Sequence, residues 1–72
     1  MKLNYYPDTD SLYIDLSSTP STRSHEVSEG IVLDYDDEGR LTGIDIDNAS
    51  HKIDLREVSL SRVPAEIKTL VA

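Results

Sequence analysis

Four acidic residues in the middle of the chain are spaced so that their carboxylates could surround one cation. Asp34, Asp36 and Glu38 alternate with other residues, Gly39 follows directly, and Asp45 stands at position twelve counted from Asp34. This spacing is similar to the EF-hand calcium loop, which has acids at positions 1, 3, 5 and 12 and glycine at 6. Asp34, Asp36, Glu38 and Asp45 are therefore candidate ligands for a divalent cation.

Three features of the same segment favour a hairpin over a calcium loop. The residues on both sides predict strands, whereas an EF-hand needs helices. Asp45 is shorter than the bidentate Glu usual at position twelve. A turn alone explains Asp36-Asp37-Glu38-Gly39, because Asp side chains and Gly both favour turns. We therefore assign no metal ligand and no cofactor, and keep cation binding through the acidic hairpin as an alternative.

Other residue types with catalytic potential occur without the spacing that catalysis needs. His25 and His51 are far apart, and no cysteine accompanies them as a ligand or nucleophile. The carboxylate pair Asp8 and Asp10 is expected in a turn, where no pocket would shift its pKa values. Neither a Gly-x-Ser-x-Gly sequence nor a glycine-rich phosphate loop is present. We predict no catalytic residue and no enzyme activity.

Composition narrows the class of protein further. The 72 residues include seven Lys and Arg and fourteen Asp and Glu, giving a net charge of −7. Residues 29–47 hold seven acids and one base, or −6 of that charge, which repels nucleic acid phosphates. No apolar run approaches the roughly 20 residues of a membrane span, and the first residues do not resemble a signal peptide. We expect a single cytoplasmic domain over residues 1–72 that binds neither nucleic acid nor membranes.

Alternating apolar residues predict an antiparallel sheet over residues 1–47. Leu12, Ile14 and Leu16 alternate with polar residues, which is typical of a half-buried strand. The alternation breaks near Gly43, because Leu41 is on odd numbers while the later isoleucines are on even ones, so we expect a bulge or kink there. About five strands, joined as hairpins, are expected at residues 2–6, 11–17, 23–27, 31–35 and 40–47.

The character of the chain changes at residues 48–72, which we expect to be helical or irregular. Asn48-Ala49-Ser50 is typical of a helical turn or tight bend, and residues 54–60 are compatible with a short helix or an edge segment. Pro64 suits the first turn of a helix, and Ile67, Leu70 and Val71 have helical spacing. The expected fold class is therefore α+β, with a short C-terminal helical segment packed on the sheet.

Several ordered motifs together resemble one family. They include Tyr6-Pro7-Asp8-x-Asp10, the run Gly30-Ile31-Val32-Leu33-Asp34-Tyr35-Asp36, Gly43-Ile44-Asp45-Ile46 and Asn48-Ala49-Ser50. Over about residues 1–55 the chain resembles the small bacterial family catalogued as domain of unknown function 2283. The resemblance implies a small β-rich domain with a C-terminal helical part, and no established activity or catalytic residues. It also implies a link to toxin–antitoxin pairs, since some members look like partners of small toxin proteins.

Small size favours self-association. A domain of 8.0 kDa buries only about 60% of the surface of its unfolded chain. No disulfide can stabilise it, so an interface with a second copy is the remaining common source of stability. We expect a non-catalytic protein-binding or assembly module that forms a homodimer. The alternative from another class is an antitoxin-like protein whose acidic surface covers a small basic toxin.

Overall fold

Five antiparallel strands form one sheet in the computed structural model, which describes residues 1–62 and residue 64. The strand order is β1-β2-β5-β4-β3, so that the two edges are formed by β1 and β3. One 3-10 turn, Ala49–His51, follows the last strand. The strands are β1 (Lys2–Tyr6), β2 (Ser11–Asp15), β3 (Arg23–Ser28), β4 (Ile31–Tyr35) and β5 (Leu41–Ile46).

Strand register places the apolar side chains on one face of the sheet. Leu12 and Ile14 of β2 lie opposite Ile46 and Ile44 of the central strand β5. The same two isoleucines pair with Ile31 and Leu33 of β4 on the other side. Because directly paired residues project to the same face, these side chains form one continuous surface, called here the apolar face.

Only one end of the apolar face is covered within the described part of the chain. Leu12, Ile46 and Ala49 are the buried hydrophobic residues, and Ile14, Ile44 and Leu55 pack around them. Ala49 is fully buried because the turn Ala49–His51 lies against the sheet. The core is therefore small and lies where the chain folds back after β5.

The break in alternation near Gly43 corresponds to a β-bulge, which confirms that prediction. Gly43 pairs with Asp34 and Leu41 pairs with Tyr35, so that Thr42 is the extra residue on β5. Thr42 is buried and its carbonyl accepts a hydrogen bond from the Leu16 amide at 2.9 Å. The extra residue changes which face each side chain takes, and this restores Ile44 and Ile46 to the apolar face.

The assignment to the α+β class is wrong. The expected antiparallel sheet of about five strands is present, but the described residues contain no α-helix, only the 3-10 turn. No described helix has the length and apolar character to span a membrane. The expected C-terminal helix with Ile67, Leu70 and Val71 lies outside the described residues.

Residues 54–60 form neither the short helix nor the edge segment that the sequence allowed. They contain a turn and otherwise irregular backbone. The Asp54 carboxylate accepts hydrogen bonds from the backbone amide and the guanidinium Nε of Arg56, at 2.9 and 3.0 Å. A local bond from side chain to backbone competes with helix formation, and this explains why the segment turns instead.

The small core makes one substitution informative. We predict that Leu12→Ala lowers the free energy of unfolding by about 2–5 kcal/mol, since Leu12 is at the centre of the buried cluster. Leu60→Ala is the matched control, because Leu60 is exposed and its truncation leaves no cavity. Urea denaturation followed by circular dichroism measures both, and equal effects would contradict the assignment of the core.

Candidate functional site

The four acidic residues considered as cation ligands do not converge on one point. Asp34 and Asp45 lie on neighbouring strands, whereas Asp36 and Glu38 belong to the loop between β4 and β5. Among residues 1–62 and 64, no group of three or more His, Cys, Asp or Glu side chains is arranged to hold a metal ion. The EF-hand spacing therefore has a different structural basis.

Asp36 organises the loop that joins β4 to β5. Its Oδ1 accepts the backbone amides of Glu38 and Arg40 at 2.9 and 3.0 Å. Its Oδ2 accepts the guanidinium Nε of Arg40 at 2.9 Å and the Thr19 hydroxyl at 3.2 Å. The amide of Gly39 donates to the Asp36 carbonyl at 3.0 Å, and Gly39 takes the positive φ of 78° that closes the turn.

The surroundings of Asp36 favour its charged form. The residue is only 5% exposed. Its carboxylate accepts bonds from Glu38 and Arg40 of its own loop and from Thr19 of the loop between β2 and β3. The backbone amide of Arg40, followed by the guanidinium of the same residue, holds the pKa of Asp36 below its ordinary value. Glu38 is exposed and lies 3.6 Å from the Arg40 guanidinium. These contacts stabilise a hairpin and leave Asp36 no free oxygen directed towards a shared ligand.

Asp34 belongs to a second network on the face opposite the apolar one. Its Oδ2 accepts the Tyr13 hydroxyl at 2.7 Å, and its Oδ1 accepts the Ser24 hydroxyl at 2.6 Å. The bond to Asp34, with some help from burial, raises the pKa of Tyr13 above its ordinary value. The network joins β2, β3 and β4 across the strand β5 that separates β2 from β4.

Gly43 makes this network possible. It lies on β5 between Asp15 of β2 and Asp34 of β4. A Cβ atom at this position would collide with the hydroxyl and ring of Tyr13. Because Gly43 has no side chain, Tyr13 can cross the central strand and reach Asp34. Gly43 is also the residue next to the bulge.

The same face has an acidic surface. Asp15, Asp34 and Asp45 lie on three adjacent strands around Gly43, and this group is called here the acidic face. Burial, followed by the nearby carboxylate of Asp47, raises the pKa of Asp45 above its ordinary value. No Lys or Arg of the described residues forms an ion pair with the acidic face.

Asp10 makes a contact that the sequence analysis missed. Its Oδ2 accepts the Ser50 hydroxyl at 2.7 Å, and its Oδ1 accepts the Ser50 amide at 3.1 Å and the Tyr5 hydroxyl at 2.8 Å. The Asp10 carbonyl accepts the Ala49 amide at 2.8 Å. Asp10 thereby fastens the turn after β5 to the first hairpin. The two segments are forty positions apart, and nothing in their spacing indicates that they meet.

The chemistry of these carboxylates is that of fixed hydrogen-bond acceptors. Bonds from Ser50 and then Tyr5 hold the pKa of Asp10 below its ordinary value, in the same direction as for Asp36. A lowered pKa keeps a carboxylate charged at neutral pH and unsuited to donate a proton. Both histidines, His25 and His51, lie on the surface.

The family described as "Protein of unknown function (DUF2283)" matches residues 2–50. The chain belongs to this family. The resemblance inferred from the sequence motifs is thereby confirmed. No curated protein and no solved structure matches the chain.

The DUF2283 match coincides with the part of the chain that the networks described above hold together. It begins with β1 and ends at Ser50, whose hydroxyl and amide bond Asp10. Asp36 shapes the second hairpin within it, and Gly43 accommodates Tyr13. The motifs by which this chain resembles the family therefore include Asp36, Gly43 and Ser50, which hold its strands and turns together.

The lowered pKa of Asp36 predicts a pH-dependent loss of stability. At pH 7, Asp36→Asn should lower the Tm by roughly 5–15 °C, because its amide group would face the Arg40 guanidinium. Asp37→Asn, the adjacent exposed residue with the same charge change, should have little effect.

The sign of the pH dependence follows from the direction of the shift. A depressed pKa contributes stability above the ordinary Asp pKa of about 4, and that contribution is lost as the pH falls through the lowered value. The difference in Tm between wild type and Asp36→Asn should therefore shrink below about pH 4. A difference that stays constant from pH 7 to pH 2 would contradict this role.

Proposed function

We propose that the chain is a non-catalytic assembly domain that functions as a homodimer. The observation that supports this proposal is the imbalance between its buried and exposed apolar side chains. Within the described residues the core has only three buried hydrophobic residues. Among the same residues nine large hydrophobic ones are exposed: Met1, Leu3, Tyr5, Tyr6, Val27, Leu41, Ile53, Val58 and Leu60.

Burial of such side chains is the main source of stability that a domain of this size can gain. Each large apolar side chain removed from water contributes roughly 1.5–3 kcal/mol. A chain of 72 residues with no cysteine has no disulfide to replace that contribution. Association with a second copy would bury these side chains and add that stability, and it needs no other protein or ligand. The carboxylates with lowered pKa values, Asp10, Asp36 and Asp54, accept hydrogen bonds that hold turns and loops in place, and this supports a non-catalytic role.

The proposal predicts the mass of the particle in solution. Two chains of 8.0 kDa give a dimer of about 16 kDa by light scattering after size exclusion at micromolar concentration. Dilution should shift the measured mass towards 8.0 kDa, since dimerisation follows mass action. A mass of 8.0 kDa that does not change up to millimolar protein would contradict the proposal.

The acidic face favours a second candidate function, an antitoxin-like protein that binds a small basic toxin. Asp15, Asp34 and Asp45 lie together without an ion pair to any described base. Opposite charge on a partner would speed the encounter and strengthen binding at low salt. This candidate uses the opposite face of the sheet from the hydrophobic core.

Affinity capture from the native host tests this second candidate. A small basic protein should be retained at low salt and released at high salt, because salt screens the attraction. The double variant Asp15→Asn with Asp45→Asn should retain less of it than Asp8→Asn with Asp37→Asn, which has the same charge but changes turn residues. Equal retention by the two double variants would contradict binding at the acidic face.

A further inference from the structure

Exposed hydrophobic residues of the sheet concentrate on its first strand. Leu3 and Tyr5 are each 43% exposed and Tyr6 is 53% exposed. All residues of the two edge strands β1 and β3 are exposed, whereas those of β2 and β4 are buried or half-buried. Of the two edges, β1 has three large exposed hydrophobic residues and β3 has one, Val27. The apolar surface that most needs a cover is therefore at this edge.

The backbone of β1 is also available for pairing. Among the described residues it pairs with β2 on one side only. The other edge strand, β3, is interrupted by a bulge at Val27 and has Arg23 and Glu26 along it. Bulges and charges protect an edge against pairing with another chain. β1 pairs with β2 in regular register, has no bulge and has a single charged side chain, Lys2 at its first residue, so it is the less protected edge.

Charge makes β1 the part of the sheet where two copies repel each other least. Each copy has a net charge of −7, and residues 29–47 hold −6 of it. The strands of that region, β4 and β5, are separated from β1 by at least one intervening strand, β2. β1 itself has one charged side chain, Lys2. Two acidic chains that meet along β1 keep their acidic hairpins at the far sides of the dimer.

We propose that β1 pairs antiparallel with β1 of a second copy, with the two-fold axis at Asn4. This inference rests on the proposed homodimer and assigns its interface. The register pairs all five residues of the strand with the second copy. It sets Leu3 opposite Tyr5 of the second copy on the apolar face, and Asn4 opposite Asn4. Apolar cross-strand pairs of this kind stabilise a sheet.

The pairing joins two sheets into one of ten strands with a single continuous apolar face. It is isologous, because the same strand is used by both copies, and so it closes at a dimer. Lys2 faces Tyr6 of the second copy, and the two Lys2 residues are about 14 Å apart along the strands. At physiological salt this separation exceeds the Debye length of about 8 Å, so that their repulsion is largely screened.

A single engineered cysteine tests the register, since the chain has none of its own. In Asn4→Cys, the two cysteines would lie opposite each other at a Cα separation of roughly 4.5–5.5 Å, which a disulfide can bridge. Under mild oxidation Asn4→Cys should form a covalent dimer on a non-reducing gel, whereas Lys2→Cys should form little, because only the cysteines at position 4 would lie within the Cα separation of a disulfide. Equal rates for the two variants would overturn the Asn4-centred register.

A second variant tests the interface without cross-linking. Leu3→Lys should raise the dimer dissociation constant by roughly tenfold or more, because it places charge opposite an apolar residue. Leu60→Lys is the matched control, since Leu60 is 45% exposed and lies outside the sheet. Suppose that the wild type is a dimer, that Leu3→Lys has the same dissociation constant, and that Asn4→Cys does not cross-link faster than Lys2→Cys. This result would overturn the β1 interface and leave the proposed homodimer standing. A monomeric wild type would overturn both proposals.

Discussion

A β-sheet with one apolar face needs a second layer on that face, and this chain supplies little of one. Within the described residues the cover consists of the turn Ala49–His51 and Leu55. The cover is held by Asp10, which accepts three hydrogen bonds from Ser50 and Ala49 through its side chain and carbonyl. The small size of the core follows from this incomplete second layer. The exposure of β1 follows from its position at the edge of the sheet, where the proposed dimer pairs it with a second copy.

Three of the acidic residues that suggested chemistry in the sequence have structural roles. Asp10 joins the first hairpin to the last turn, and Asp36 shapes the loop after β4. Asp34 accepts the hydroxyl of Tyr13 across the central strand. In each case a carboxylate accepts bonds from groups that are distant in sequence or at the ends of a loop. Acids at regular spacing can therefore indicate turns and cross-strand bonds in a β protein rather than a metal site.

Local patterns predicted the strands well. Alternation at Leu12 and Ile14 identified the apolar face, and the change of phase before Gly43 identified the bulge. The bond between Asp10 and Ser50 could not be predicted, because both are polar turn residues whose meeting depends on the path of the whole chain. The fold class was wrong for a related reason: the helix considered at residues 54–60 rested on short-range signals, and the bonds of Asp54 to Arg56 turn the chain there instead.

Hydrogen exchange of β1 tests the central claim most directly, namely that an incompletely covered sheet pairs with a second copy at this edge. If β1 forms the interface, its amides should exchange more slowly at high than at low protein concentration. The amides of the protected edge β3, Arg23–Ser28, should show no such dependence. Exchange at β1 that is independent of concentration across the dimerisation range would contradict the account.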